Sequence, residues 1–99
     1  MGWFAARTLF QAIENAKSTE PAAIVHAMET WRGTDGKLPV YFRPWDHQLV
    51  HRMLILGIRK QIPNKWDYFD VLASAPDSEA GLAKAFGSKE ESDCKMPPA

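Results

Sequence analysis

The chain has 99 residues, room for at most one small domain with a moderately buried core. Hydrophobic residues make up 45% and eleven residues are aromatic, too apolar a composition for a disordered chain. Twelve basic residues balance twelve acidic ones, so the overall charge directs the chain neither to nucleic acid nor to an anionic membrane.

That balance is unevenly spread. Residues 31–65 carry a local net charge of +5, and residues 66–99 a net charge of −4. The basic residues are scattered among strand-like apolar ones, so mutual neutralisation of the two regions is favoured over a nucleic-acid surface. No apolar run approaches the ~18 residues of a membrane span; the longest is MLILGI, residues 53–58. The start, MGWFAARTLFQAIE, has neither a charged leader nor a small-residue cleavage site, and it reads as helix. Cys94 is the one cysteine, which excludes an intramolecular disulfide and a cysteine metal cluster.

In chain order, Trp3, Ala6, Phe10, Ile13 and Ala16, with Leu9 beside them, recur at helical spacing opposite Arg7, Gln11 and Glu14. This pattern predicts an amphipathic helix over about 3–17. Ser18 or Thr19 can cap a second helix, with Glu20 and Pro21 suited to its first turn. Ile24, Val25, Met28 and Trp31 form its expected buried stripe and Gly33 its expected stop. GTDGK is a turn by composition, and LPVYF a short strand whose proline suits an edge or a strand start. Residues 49–60 fit either a buried strand or a helical face, and periodicity does not arbitrate. Residues 65–76 lean towards extended structure, and DSEAGLAKAFG is a short helix capped by Asp77 or Ser78 and stopped by Gly87. The polar segment 88–99 reads as a mobile tail beyond a single partial domain, residues 1–87.

Taken in order, GWFAARTLFQAIENAKSTEPAAIVHAME, a glycine-containing turn, VYFRPWDHQ, KWDYFDVLASAP and ESDCK resemble the C-terminal region of one family. It is the branched-chain amino-acid, leucine-binding-protein-like type of periplasmic substrate-binding protein of ABC transporters (type I). The resemblance spans about Gly2 to Lys95, with TEP where the family often has TDP and KLPVYF in place of the commoner Leu-Gly-Pro run. It implies an α+β chain that is part of a two-lobed α/β body closing on its ligand by a hinge. It also implies a periplasmic location, noncovalent capture of an amino acid or similar small solute, delivery to the transporter's membrane subunits, and no catalysis or cofactor. Met1 would then be an internal methionine used as a start, or an artificial boundary, and most ligand contacts would precede it.

On a helix, His47 and His51 would share a face and could share a metal; on a strand, four residues span about 13 Å, too far for one ion. The resemblance puts Asp46-His47-Gln48 in a turn entering a strand, so no metal site is expected. Asp46 can accept from amides of its own turn, His47 can bond a neighbouring carbonyl, and His51 reads as a surface or half-buried strand residue. His26 reads as solvent-facing. No serine, cysteine or second carboxylate completes a catalytic triad, and no catalytic residue is assigned. By resemblance, Trp3 and Phe4 at the start of the first helix approach the ligand cleft, Phe4 standing at the family's common tyrosine; core packing is the plainer role for both. Cys94 is similar to a cysteine near the C-terminus of many members, where it could pair with one upstream; in this chain it is expected to be free or intermolecular. The apolar faces of the two helices, lacking the sheet they would cover, predict a homo-oligomer.

Overall fold

The computed structural model describes residues Gly2–Pro97. They form three helices and two small antiparallel sheets, a mixed α+β chain. Helix α1 (Gly2–Ala16) and helix α2 (Pro21–Thr30) lead into strands β1 (Arg32–Thr34), β2 (Pro39–Phe42) and β3 (Leu49–Val50). Strands β4 (Met53–Ile58) and β5 (Phe69–Ala75) make a separate two-stranded ribbon, and helix α3 (Glu79–Ala85) follows. The ambiguous stretch 49–60 is thus extended, broken at His51 and Arg52, and 69–75 is extended as expected.

α1 ends at Lys17, whose amide donates to Ile13 O and whose backbone is left-handed (φ 52°). The face it turns to the rest of the chain is not the apolar stripe. Thr8 and Ala12 are the buried residues of α1, while Trp3 is 73% and Phe10 65% exposed. Short side chains explain the choice: Ala12 of α1 and Ala27 of α2, both buried, let the two helices approach closely. Thr8 satisfies its hydroxyl locally by donating to Phe4 O at 2.8 Å.

α2 stops three residues earlier than expected. Trp31 leaves the helix with extended backbone (φ −64°, ψ 137°), and Gly33 lies within β1 instead of ending the helix. Tertiary contacts decide this. The Trp31 ring lies between Phe4, at 5.9 Å, and Phe42, at 6.1 Å, and its indole N–H donates to Gln11 Oε1 at 3.1 Å. Gly33 makes room for it, because a Cβ there would fall 2.4 Å from Trp31 Cη2. Of the expected stripe, Ile24, Val25 and Met28 are half-buried.

The turn shifts accordingly to Asp35–Leu38. Asp35 Oδ1 accepts from the amides of Lys37 and Leu38 at 2.9 and 2.8 Å, and Gly36 takes φ 94°. β2 begins at Pro39, as its proline suggested, but it occupies the centre of the sheet, between β1 and β3, and not an edge. Pro39 tolerates this because it is the strand's first residue. The central core is small: Leu38, Val50 and Leu82, with Tyr41 and Phe86 against it. Ser78 caps α3 by accepting from Gly81 N at 3.2 Å, and Gly87 ends it at φ 77°.

The molecule is extended, 50 × 32 × 20 Å, with a radius of gyration of 16.6 Å. A compact chain of about 100 residues has about 13 Å. The β4–β5 ribbon contributes to this: its large apolar side chains stand roughly half exposed or more.

Candidate functional site

The segment Arg43–Gln48 links β2 to β3 and holds three elements together. Arg43 is only 7% exposed, and its guanidinium faces the Asp46 carboxylate through two hydrogen bonds, one from Nε to Oδ1 at 3.1 Å and one from Nη2 to Oδ2. Its remaining donors reach the end of α3, Nη1 to Gly87 O at 2.7 Å and Nη2 to Phe86 O at 3.1 Å. A cation at this position satisfies carbonyls that a helix end leaves without partners. The Trp45 ring covers the guanidinium, with Cζ 4.3 Å from its centroid.

Asp46 also accepts from Gln48 N at 3.0 Å, as expected of an aspartate in its own turn. His47 takes a left-handed backbone (φ 56°), and its amide donates to Arg43 O at 2.8 Å. Its ring does not bond a neighbouring carbonyl: Nε2 lies 2.9 Å from Glu29 Oε1, tying the turn to α2. His51 is engaged elsewhere, with Nδ1 2.8 Å from Arg52 O and its ring 5.8 Å from Phe86. His26 is exposed, 3.7 Å from Glu29. Among the described residues no group of three His, Cys, Asp or Glu side chains is placed to hold a metal ion. The Arg43-x-x-Asp46-His47 spacing is therefore a structural clasp, in which the charged residues hold the fold.

One hollow, about 480 Å3, lies along α1, the end of α2 and β1. Phe4 and Trp31 are its only hydrophobic lining residues; Arg7, Gln11, Glu14 and Arg32 are among the polar ones. Its volume falls within the ~300–1,000 Å3 of small-ligand sites, but such sites are mainly apolar. Both arginines are already stacked, Arg7 on Trp3 at 5.2 Å and Arg32 on Tyr41 at 5.3 Å. Phe4 also borders a more apolar hollow of about 280 Å3 with Val40, Leu49, His51 and Leu54. Trp3 lines neither; it stands on the outer face of α1 with Ala6 and Phe10. The two aromatics are thus separated: Phe4 borders these two hollows and packs on Trp31, and Trp3 stands on the other side of α1.

Elsewhere, among the described residues, one arginine pairs across the two oppositely charged regions. Arg59, from the basic region, lies 2.7 Å from Asp67 and 2.8 Å from Asp70 of the acidic one; the Asp70 contact is an ion pair whose N–H is not aligned for a hydrogen bond. Arg52 pairs within its own region, with Asp35. Desolvation pushes the Asp35 carboxyl up, but the Leu38 and Lys37 amides and the Arg52 guanidinium together outweigh it, leaving its pKa below the ordinary aspartate value. Cys94 is exposed and free. Among the described residues, no helix is long and apolar enough to cross a membrane.

Comparison with protein-family models, with curated proteins and with solved structures finds no match.

Proposed function

We propose that this chain is the C-terminal part of a solute-binding protein serving an ABC importer, with an amino acid or similar small organic molecule as cargo. Capture is noncovalent, between two lobes, with no chemistry and no cofactor. The reading rests on the order of its motifs, and one structural observation supports it. α1 turns Trp3, Leu9 and Phe10 outward, and the ribbon does the same with Leu54, Leu56, Ile58, Phe69 and Val71. These are large apolar surfaces of the kind a segment buries when it completes a bigger body.

The reading assigns ligand contact to Phe4, which lies at the start of α1 and borders both hollows. One wall does not bury a small ligand, so the 99-residue chain by itself gives no saturable response to leucine, isoleucine or valine in tryptophan fluorescence. The test is the DNA directly upstream of the Met1 codon. An open frame continuous with this one and encoding two α/β lobes supports the proposal. A stop codon or an intergenic gap overturns it in favour of a small self-associating protein.

A further inference from the structure

We infer that the 99-residue chain forms a two-fold dimer in which the β4–β5 ribbon of each copy packs across the α1 outer face of the other. The inference concerns the 99-residue chain by itself; in the larger body of the solute reading the same faces would be buried against the rest of that body.

The ribbon has two unequal faces. In its register Leu56 lies opposite Val71 and Ile58 opposite Phe69, and Leu54 joins them by the two-residue period of β4. That face is apolar from Leu56 to Ile58; beyond a bulge between Ile55 and Leu56, Ser74 stands opposite Leu54. The other face pairs Gly57 with Asp70 and Ile55 with Ala73 and also carries Met53 and Leu72, so a charge and small residues stand among its hydrophobics. The first face has the larger exposed apolar area. On α1, Trp3 and Phe10 form a second uncovered surface with Ala6, with Arg7 flat on the Trp3 ring and Glu14 at its rim.

The areas select the occupant. Fully exposed aliphatic side chains offer ~60–120 Å2, the area equivalent of their burial energy, and aromatic ones ~150–250 Å2. Scaled by the exposures, the ribbon face and the α1 face come to roughly 300 Å2 each. A ribbon stacked on a second ribbon, or a helix on a helix, would remove only about 600 Å2, below the ~1,200 Å2 of a specific interface. Ribbon on α1, made twice around a two-fold axis, removes roughly 1,200 Å2 and leaves neither face open. A second copy of this chain supplies both matching surfaces at once, and the extended shape of the molecule leaves the ribbon free to reach across.

The test is light scattering after size exclusion, in reductant at tens of micromolar, on the wild-type chain and on Leu56→Lys and Phe10→Lys. The wild type elutes at twice the 11.2 kDa chain mass, and each variant alone as monomer, since each damages both contacts. Wild-type far-ultraviolet circular dichroism of each variant shows that it is folded. A monomeric wild type overturns the inference. So does a folded Phe10→Lys or Leu56→Lys chain that stays dimeric; the first of these would point to ribbon on ribbon.

Discussion

Replacing Arg43 with methionine keeps an apolar stem of similar length and deletes the guanidinium. The change strips the Asp46 carboxylate of both its arginine bonds while that side chain stays largely buried, and it leaves Phe86 O and Gly87 O without their donors. Breaking a buried pair from one side costs about 3–5 kcal/mol, because the remaining charge is uncompensated. A chain of this size has about 5–15 kcal/mol of stability in all, so Arg43→Met removes a large share of it. Urea unfolding followed by circular dichroism measures the loss as a lower midpoint at unchanged slope. Arg43→Met combined with Asp46→Leu should recover part of the loss, since exchanging a buried ion pair for apolar groups is often neutral. A cost below about 1 kcal/mol, the range of an exposed pair, would refute the clasp.

Three further outcomes follow from the same structure. Gly33→Ala drives a Cβ into the Trp31 ring and should cost ~1–3 kcal/mol in the same assay; a neutral result would mean the ring is not held there. Asp35 is depressed in the folded state, so its contribution is fully present above its unfolded pKa of about 3.9 and is lost as pH falls through the lower folded value. Asp35→Asn should accordingly lower the urea midpoint at pH 7 and flatten its fall below about pH 4; an acid limb identical to wild type contradicts the assignment. Calorimetric titration of tag-free protein with zinc should show no stoichiometric site, as His47 and His51 bond to different partners; binding abolished by His51→Ala would contradict this.

Much of the architecture was legible because it is local. The spacing of apolar residues located α1, Ser78 and Gly87 marked the ends of α3, and Pro39 marked the start of β2. What escaped is set by long-range packing. A stripe of large residues reads as a buried face, yet α1 buries Thr8 and Ala12 because small residues permit the closer approach of α2. Gly33 reads as a helix stop, yet it is glycine to admit an indole ring from two residues earlier. The role of Asp46 within its turn was readable, but Arg43 was not singled out, because its other partners lie 43 and 44 residues away. The arginine-to-aspartate spacing of three was the available signal, and its meaning depends on where α3 ends. Glu29 escaped likewise, its partner His47 lying 18 residues on.

The proposal that this chain belongs to a solute-binding protein is tested most directly by titration calorimetry on the product of the full open frame that contains these 99 residues. Leucine, isoleucine, valine and a panel of other amino acids are the titrants. The account predicts saturable binding of at least one of them, with one ligand per chain and micromolar or tighter affinity, weakened at least tenfold by Phe4→Ala. Flat titrations across the panel by a folded two-lobed protein would contradict it.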